Sequence, residues 1–381
     1  MSEPLVVLGA TGSIGTQTLE VATNLSLDVA VIAGRRPSPE LAAIAARYPD
    51  AQVVVAGGAG EERETFSRSL PAPVAYGREA IVEAAATPGR IVMNAIVGSA
   101  GLRATVAALE AGNRVALANK ESLVAGGEVV MAALARGGGE LLPVDSEHSA
   151  LHQCLAGEDR SEVSRLVLTA SGGPFRGKTT EELARVTPEQ ALRHPTWEMG
   201  ERITIDSATM FNKGLEIVEA HHLFGVPYDN IDVLVHPQSI LHSAVEFNDG
   251  SWKGHLGHPD MRIPIQYALT APGRRPSPAS LFDLAGLELT FEKPDRQVFP
   301  AIDIAYAAGR SGGSAPAVMN AADEVAVEAF LRGRLGFLGI AEVVTRTIEM
   351  VEWRRFDNVD EVIEVDREAR AMAASLISGA C

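Results

Sequence analysis

The stretch LVVLGATGSIG, residues 5–15, decides how the first part of the chain folds. Its apolar run predicts a buried strand, and the TQTLEVA that follows the glycines is typical of a helix. Gly9, Gly12 and Gly15 permit positive φ and a close backbone approach, and the N-terminus of the helix offers free N–H groups to a pyrophosphate. An ordinary glycine-rich turn is the alternative. The position after a first strand favours the dinucleotide-binding turn of a Rossmann unit.

The second predicted strand indicates which dinucleotide binds. DVAVIAG, residues 28–34, leads directly into Arg35 and Arg36, about 20 residues beyond the glycines, where a Rossmann unit selects its cofactor. An acidic residue there would bind the ribose hydroxyls of NAD, whereas two arginines suit the 2′-phosphate of NADP. A solvated basic pair in a loop is the other interpretation. We expect NADP.

Strands and helices continue to alternate along the first third of the chain. Apolar runs predict a third strand over 51–57, a fourth over 90–98, and a fifth within 113–124 with a helix starting near its end. Repeated strand–helix units predict a parallel, doubly wound sheet, whose ligands lie at the carboxyl ends of its strands. The polar residues at these predicted strand ends are Asn94, Asn119, Lys120 and Glu121. A structural Lys120–Glu121 pair is the alternative to ligand contact.

Another apolar run ends in an unusual group of polar residues. ELLPVDSEHSALHQ, residues 140–153, places Asp145, Ser146, Glu147 and His148 where a strand stops and a helix is predicted to begin. A turn can use any one of these side chains. Two carboxylates, a hydroxyl and an imidazole together indicate a site for a cation, a polyhydroxylated ligand, or both.

Two later stretches have the composition of a phosphate site. RLVLTASGGPF, residues 165–175, predicts a strand that leads into a turn at Ser171, where hydroxyl and N–H groups suit phosphate oxygens, although Ser-Gly-Gly turns are common. In RITIDSATMFNKGLE, residues 202–216, we expect a strand that ends at Asp206 and a helix that Ser207 caps.

One face of that predicted helix would carry Thr209, Asn212, Lys213 and Glu216. A solvated stripe is the alternative, with a Lys213–Glu216 pair worth only about 0.2–0.5 kcal/mol. The mixture of hydroxyl, amide, cation and acid instead suits a phosphate with a metal beside it. Gly214, which costs about 1 kcal/mol against alanine inside a helix, indicates close approach by another group.

Residues 191–203, ALRHPTWEMGERI, have no clear periodicity and contain Trp197. This composition suits a mobile lid over residues 193–200 that packs an indole against a bound ligand. A surface loop with the indole turned inward is an equal alternative. Residues 231–258 predict antiparallel strands around an Asn-Asp-Gly turn, and we expect their four histidines to be structural.

The sequence predicts an α/β protein with an N-terminal Rossmann-like parallel sheet, a central α+β catalytic domain and a C-terminal α-helical domain. The predicted boundaries are 1–144 for the NADPH-binding domain, 145–270 for the catalytic domain, 271–296 for a Pro-rich linker and 297–381 for the helical domain.

Bulk composition excludes several classes of partner. The 381 residues are 46% hydrophobic and 22% charged, and the net charge of −16 provides no basic field for nucleic acid or an anionic membrane. Cys154 and Cys381 form no metal-type spacing or disulfide framework, which suits a reducing compartment. Without a signal peptide or an apolar run of about 18 residues, we expect a cytoplasmic protein.

The chain resembles the 1-deoxy-D-xylulose 5-phosphate reductoisomerase family in a series of motifs along almost its whole length. The motifs, in order, are LGATGSIGTQTL, AGRR, NAIVGSAGL, ALANKESLV, PVDSEHSA, LTASGGPFR, RHPTWEMG, DSATMFNKGLE, HPQSILHSAVEFNDGS, PDMRIPIQYAL and MNAADEVAVEAFL. The resemblance implies a rearrangement of the sugar phosphate that a divalent metal (Mn²⁺, Mg²⁺ or Co²⁺) supports. The rearrangement gives an aldehyde intermediate, 2-C-methyl-D-erythrose 4-phosphate. NADPH then reduces this aldehyde to 2-C-methyl-D-erythritol 4-phosphate, in the non-mevalonate route to isoprenoid precursors.

The resemblance also implies residue roles. The implied NADPH contacts are Thr11, Gly12, Ser13, Ile14, Gly34, Arg35, Arg36, Asn119, Glu121 and Gly200. The implied metal ligands are Asp145, Glu147 and Glu216, and the implied phosphate pocket is Ser171, His194, Ser207, Asn212 and Lys213. Lys120 and Ser146, with Glu147, would contact the reacting carbons and their oxygens. Lys120 and the three metal ligands form the expected catalytic set, Trp197 and Met199 lie in the lid, and the family implies a homodimer.

Two other functions are compatible with parts of the sequence. A semialdehyde or homoserine dehydrogenase also has a Rossmann domain and a lysine after a strand, but it does not need three carboxylates and a phosphate helix. A non-catalytic NADPH-binding scaffold would bind cofactor without metal-dependent turnover. Metal-dependent consumption of NADPH with the sugar phosphate separates both alternatives from the reductoisomerase.

Overall fold

The computed structural model describes residues 3–197, 199–281 and 283–379. The chain forms two compact units. The first consists of residues 1–122, 129–149 and 260–280, and the second of residues 123–128, 150–259 and 281–381. The predicted functional boundaries at 144, 270 and 296 stay a prediction. None of the helices in the described ranges has both the length and the apolar character that crossing a membrane requires.

The strands are β1 (Leu5–Leu8), β2 (Val29–Gly34), β3 (Gln52–Val55), β4 (Val74–Tyr76), β5 (Ile91–Asn94), β6 (Arg114–Leu117), β7 (Glu140–Pro143), β8 (Val163–Ala170), β9 (Ile231–Val235), β10 (Leu241–Phe247) and β11 (Trp252–Leu256). The helices are α1 (Ser13–Leu25), α2 (Pro39–Arg47), α3 (Gly60–Arg68), α4 (Arg78–Ala86), α5 (Leu102–Glu110), α6 (Lys120–Gly137), α7 (Ser146–Cys154), α8 (Thr180–Leu183), α9 (Pro188–Ala191), α10 (Glu201–Thr209), α11 (Phe211–Phe224), α12 (Arg262–Thr270), α13 (Ala301–Ser311), α14 (Ala315–Leu331), α15 (Gly339–Met350) and α16 (Val359–Gly379).

The first unit is built on a seven-stranded sheet in the order β4-β3-β2-β1-β5-β6-β7, and every neighbouring pair is parallel. Its central strand β1 is apolar throughout, as expected where helices cover both faces of a parallel sheet, and all four of its residues are fully buried. The parallel, doubly wound sheet that the sequence predicts is confirmed. β4, which is three half-buried residues long, is not among the strands that the sequence predicts. The chain order changes direction between β1 and β5, where ligands of this fold bind.

One helix of the first unit comes from far along the chain. Ile265 and Leu269 of α12 are buried in the same apolar core as Leu5 and Val7 of β1. The residues around α12 therefore complete the hydrophobic core of the first unit, although residues 150–259 of the second unit precede them in the sequence.

The second unit contains a four-stranded sheet in the order β11-β10-β8-β9. The prediction of antiparallel strands over 231–258 is confirmed for β10 and β11, which pair with each other around the turn at Gly250. It is wrong for β9, which pairs in parallel with β8. The predicted C-terminal helices are confirmed as α13 to α16, and their apolar faces share one core with α11 and this sheet.

The prediction of a strand over 202–206 is wrong. These residues belong to α10, and Ser207 lies within that helix instead of capping the next one. The alternation in RITID is typical of a strand, but packing decides, because Ile205 and Ala208 are completely buried in the core. Met210, at φ 68°, ends α10 and separates it from α11. Thr209 therefore lies at the end of α10, on a different helix from Lys213.

Candidate active site

The glycine turn after β1 has the geometry of a dinucleotide-binding turn. Gly9 has φ +85°, and a Cβ there would lie 2.5 Å from the carbonyl oxygen of Ala95. A Cβ at Gly15 would lie 2.2 Å from the carbonyl oxygen of Gly9, so this glycine lets α1 approach β1. Gly12, by contrast, is exposed, and among the described residues a Cβ there would meet only the oxygen of Gly9, at 3.4 Å. Space is therefore left in front of Gly12.

The start of α1 is open to an anion. Gly12 is the N-cap of α1, and no side chain of the described residues caps it. Thr11 and Ser13 are exposed and Ile14 is half-buried, so the first N–H groups of the helix face accessible space. At the end of β2, Gly34 is buried against Leu41, and the chain then exposes both Arg35 and Arg36.

Asn119 and Glu121 hold the loop that follows β5. The Asn119 side-chain amide donates to the carbonyl oxygen of Gly98 at 2.8 Å and to Glu121 Oε2 at 2.9 Å. Glu121 Oε1 accepts from the Gly98 N–H at 3.3 Å. The two predicted cofactor residues thus act together on one loop at the carboxyl end of the sheet.

Lys120 and Asp145 meet at the ends of neighbouring strands β6 and β7. Lys120 Nζ donates to Asp145 Oδ2 at 2.5 Å, and both side chains are about nine-tenths buried. Asp145 Oδ1 accepts from the Glu147 N–H at 3.2 Å and lies 3.1 Å from His148 Nδ1. Ser146 donates to Glu147 Oε2 at 2.5 Å. The start of α7 therefore brings two carboxylates together, and one of them, Asp145, is paired with the Lys120 ammonium group.

The second unit brings together Ser171 and His194 of the predicted phosphate pocket. His194 Nδ1 accepts from the N–H groups of Thr196 and Trp197, which leaves Nε2 3.0 Å from the hydroxyl of Ser171. Burial lowers the pKa of His194, which favours the neutral ring with its proton on Nε2. Gly173, at φ +65°, packs against Ser207, whose carbonyl oxygen would lie 2.8 Å from a Cβ there. Ser171, His194 and Ser207 thus lie around one turn.

The polar face of α11 is buried, not solvated. Glu216 accepts from Asn212 Nδ2 at 2.6 Å and from Lys213 Nζ. The side chains of Lys213 and Glu216 are 4% and 0% exposed, so the surface-pair interpretation is wrong. The close approach that Gly214 indicates comes from α13, because a Cβ there would lie 2.9 Å from Ala305 Cβ.

The predicted lid is an irregular segment between α9 and α10. Trp197 is half-buried, and its ring lies edge-on to the His242 imidazole with centroids 6.2 Å apart. Met199 is half-buried and Gly200 is the exposed N-cap of α10. Residue 198, within the predicted lid, lies outside the described residues.

Several buried polar residues were not assigned a role from the sequence. His148, which contacts Asp145, is completely buried, and so is Glu219, one turn beyond Glu216. Arg202, Asp206 and Asp323 form a second charged group in the same unit. The spacing of Glu219 from Glu216 was visible in the sequence, whereas the grouping of Arg202 with Asp323 depends on tertiary packing.

The parallel sheet, its glycine turn and the exposed arginines after β2 define the class of dinucleotide-binding α/β proteins. The family model described as 1-deoxy-D-xylulose 5-phosphate reductoisomerase matches residues 5–127, and two models of that enzyme's C-terminal domain match residues 141–224 and 256–372. The chain belongs to the 1-deoxy-D-xylulose 5-phosphate reductoisomerase family.

Relatives with that name cover nearly the whole chain. The protein of Heliobacterium modesticaldum is 49% identical over 99% of this chain and 98% of its own, and that of a Geobacillus species is 49% identical over 97% and 99%. The solved structure of the Zymomonas mobilis reductoisomerase in complex with NADPH has 44% identity and a TM-score of 0.93, covering 99% of both chains. Another, in complex with NADPH, fosmidomycin and magnesium, has 35% identity and a TM-score of 0.91, covering 99% of this chain and 98% of that one.

Proposed function

We propose that this protein converts 1-deoxy-D-xylulose 5-phosphate to 2-C-methyl-D-erythritol 4-phosphate with NADPH and a divalent metal, for isoprenoid synthesis. The observation that carries the proposal is 49% identity to a named reductoisomerase over 99% of the chain. NADPH and magnesium are bound in solved structures of similar proteins. The homoserine and semialdehyde dehydrogenase alternatives lose support because the similarity extends through both units.

The first unit would bind NADPH mainly through its backbone and two arginines. The uncapped start of α1 suits the pyrophosphate, and Gly12 leaves room for its approach. Arg35 and Arg36 are exposed at the cofactor-selecting position, where guanidinium groups suit the 2′-phosphate. The other proposed contacts are Thr11, Ser13, Ile14, Gly34, Asn119, Glu121 and Gly200.

Asp145, Glu147 and Glu216 would hold the metal. Their donor set fits a hard divalent cation such as Mg²⁺, Mn²⁺ or Co²⁺, because all the ligand atoms are carboxylate oxygens. The magnesium in solved structures of similar proteins supports this proposal. The bound metal would polarise the substrate carbonyl and acidify a neighbouring hydroxyl, which favours breaking and remaking a C–C bond.

The second unit would hold the phosphate end of the substrate. Ser171 and His194 offer hydroxyl and Nε2–H donors around one turn, and Ser207 and Asn212 are accessible on neighbouring helices. Lys213 adds a cation that its contact with Glu216 holds in place. A phosphate held at this end orients the reacting carbons, so binding energy from a remote group lowers the barrier to the chemistry.

Lys120, Ser146 and Glu147 would contact the reacting end of the substrate. The Lys120 ammonium group is held by Asp145, so it can donate to a substrate oxygen without a search among conformations. Trp197 and Met199 would cover the bound substrate and exclude water from the hydride transfer.

Homodimerisation and a cytoplasmic location belong to the same proposal. The edge strand β11 carries two exposed apolar side chains, Trp252 and Leu256, which suit pairing with a second copy. Sedimentation of the purified protein tests the dimer. The cytoplasm is the location that the family resemblance implies for an enzyme of a soluble sugar phosphate.

A direct absorbance assay of NADPH consumption tests the activity. Purified protein with NADPH, Mn²⁺ or Mg²⁺ and 1-deoxy-D-xylulose 5-phosphate should lose absorbance at the NADPH band and yield the polyol phosphate. A chelator should stop the reaction and added metal should restore it. Absence of turnover with metal present overturns the function, and turnover that persists in chelator overturns the metal-dependent mechanism.

A further inference from the structure

A charged group on α10, α14 and α16 lies outside the residues assigned to the reaction. Arg202, in the first turn of α10, lies 3.4 Å from Asp206 one turn later and 2.9 Å from Glu324 of α14. It also lies 3.7 Å from Asp323 and donates to Asn320 Oδ1 at 3.1 Å. Charged side chains therefore link the helix that carries Ser207 to α14, in addition to the apolar core that both helices share.

The acids in this group outnumber the bases. Arg370 of α16 bonds Glu324 at 2.6 Å and Asp366 at 2.8 Å. The groups that face Asp323 are Arg202 and Asp206 on α10 and Glu324 on α14, with Arg370 and Asp366 on α16 beyond Glu324. Four carboxyl groups thus share two guanidinium groups, which favours protonation of one acid.

Asp323 is the acid with the strongest reason to be protonated. It is completely buried, and neither of its oxygens accepts a hydrogen bond from a donor in the described residues. Asp206, which is 3% exposed, lies 3.4 Å from the same Arg202 side chain that lies 3.7 Å from Asp323, so the two acids surround one guanidinium group. Burial first, and then the Asp206 charge, raise the pKa of Asp323 well above its usual value. A proton on one carboxyl group would convert two repelling acceptors into a donor and an acceptor.

We propose that Asp206 and Asp323 share one proton, and that this shared proton fixes α10 on α14 and so positions Ser207 for the phosphate of the substrate. Asp206 directly precedes Ser207, so a displacement of Asp206 moves the hydroxyl. Both acids are positioning residues, because neither is placed against substrate or cofactor. The positioning part of this inference rests on the proposed function, whereas the shared proton does not.

Urea unfolding of wild type and Asp323→Asn at a series of pH values tests whether Asp206 and Asp323 share a proton. The folded wild type binds a proton that the unfolded chain releases above about pH 3.9, so its stability falls as pH rises. In the Asp323→Asn variant the side-chain amide donates a hydrogen bond at every pH. The stability of this variant should therefore not fall as pH rises. The folding equilibrium of wild type should therefore fall against the variant by up to about tenfold per pH unit above pH 5. Equal pH dependence in the two proteins overturns the shared proton.

Positioning is tested by steady-state kinetics of Asp323→Asn and Asp323→Val. The asparagine variant should keep the KM for the sugar phosphate within about twofold of wild type, whereas the valine variant should raise it about tenfold with an unchanged KM for NADPH. Glu328→Gln, an exposed carboxyl on the same helix, is the matched control. If valine prevents folding, Asp206→Asn and Asp206→Val make the same comparison.

The kinetic and unfolding results test the positioning of Ser207 and the shared proton separately. A kcat loss with unchanged KM in the valine variants, or equal KM changes in asparagine and valine variants, indicates a merely structural role and overturns the positioning. A wild type without turnover refutes the proposed function, while the urea series still decides whether the proton is shared.

Discussion

Each of the two units contains a buried lysine paired with a carboxylate, and the two pairs have different origins. In the first unit Lys120 and Asp145 are 25 residues apart and meet because β6 and β7 are neighbours in the sheet. In the second unit Lys213 and Glu216 are three residues apart on one helix, and their side chains are 4% and 0% exposed.

The difference shows which kind of site a sequence reveals. A residue at the carboxyl end of a parallel strand is placed at the ligand-binding edge by the fold, so the pattern of strands predicts its position. A pair on a helix is always close in space, but only tertiary packing decides whether it is buried. The spacing of Lys213 and Glu216 predicted their contact and not its burial.

The largest expected effect comes from the acid of the helical pair. Glu216→Gln removes a carboxylate from the proposed metal site while it keeps the size of the side chain and an oxygen for Lys213. We expect kcat/KM to fall by about 10⁴-fold, or ~5.5 kcal/mol, because the metal supplies much of the charge stabilisation. Turnover at increasing Mg²⁺ or Mn²⁺ measures the effect.

Glu246→Gln, an acid on β10 that pairs with Arg165 away from the proposed metal ligands, is the control. A Glu216→Gln variant with the metal dependence and rate of wild type would contradict the assignment of Glu216 as a ligand. A loss of rate that very high metal concentration reverses would instead support it.

Replacing Lys213 or Lys120 by glutamine compares how much each buried pair contributes to the free energy of unfolding. Lys213→Gln leaves a fully buried carboxylate without its ammonium partner, and we expect a loss of about 3 kcal/mol in the free energy of unfolding. Lys120→Gln should cost less, about 1–2 kcal/mol, because the Asp145 side chain is 10% exposed to water whereas that of Glu216 is fully buried. Denaturant unfolding of both variants measures the difference, and a larger loss for Lys120→Gln would contradict the ranking.

The fold of the first unit was the easier part to predict. Buried parallel strands such as β1 are continuous apolar runs, so most strands and the doubly wound class could be recognised. β4 was missed because only three half-buried residues form it. α10 was misassigned because its alternating side chains are typical of a strand, whereas the contacts that make it a helix come from α11 and α14.

The arginines after β2 test whether the first unit selects its cofactor by charge. Replacement of Arg35 and Arg36 by glutamine should lower kcat/KM with NADPH about 10–100-fold, because charge-assisted bonds to the 2′-phosphate are worth roughly 1.5–3 kcal/mol. The rate with NADH should change little. Arg68→Gln, a surface arginine of the same unit, is the control, and an equal loss with both cofactors would contradict selection by charge.

As pH falls, we expect the second unit to lose stability before the parallel sheet of the first unit does. Burial lowers the pKa of His222 to about 4, with a further contribution from His221, and burial with His255 lowers that of His242 to about 4. The unfolded imidazoles take up protons near pH 6.5, so stability present above that pH is lost as pH falls towards 4.

Hydrogen exchange measures this loss in each unit. Protection of α11 should fall between about pH 6.5 and 4, by up to tenfold per pH unit for each imidazole, while β1 and β5 keep theirs. His222→Gln should reduce the acid sensitivity, because its side chain stays neutral. If both units lose protection at the same pH, and His222→Gln loses it at the same pH as wild type, these histidines do not cause the acid sensitivity of the second unit.

The candidate site was predictable where its residues end strands or share a motif, and not where distant helices meet. Asp145 and Glu147 follow β7, and Ser171 directly follows β8, so their positions carried a signal. Asp206 and Asp323 are 117 positions apart on helices that no periodicity relates. Such a pair is visible only after α10 is placed on α14.

The smallest expected effect concerns Gly12, where the first unit works through its backbone instead of a side chain. A Cβ at Gly12 meets only one atom, at 3.4 Å, so Gly12→Ala should leave thermal stability unchanged. The methyl group would nevertheless stand where a pyrophosphate approaches α1, and we expect the KM for NADPH to rise about threefold with little change in kcat. Gly60→Ala is a matched control, because Gly60 also begins a helix and a Cβ there would have no heavy atom of the described residues within 4 Å. If both alanine variants have the KM of wild type, the glycine turn lies away from the pyrophosphate, and the contrast between a backbone site in the first unit and a side-chain site in the second is lost.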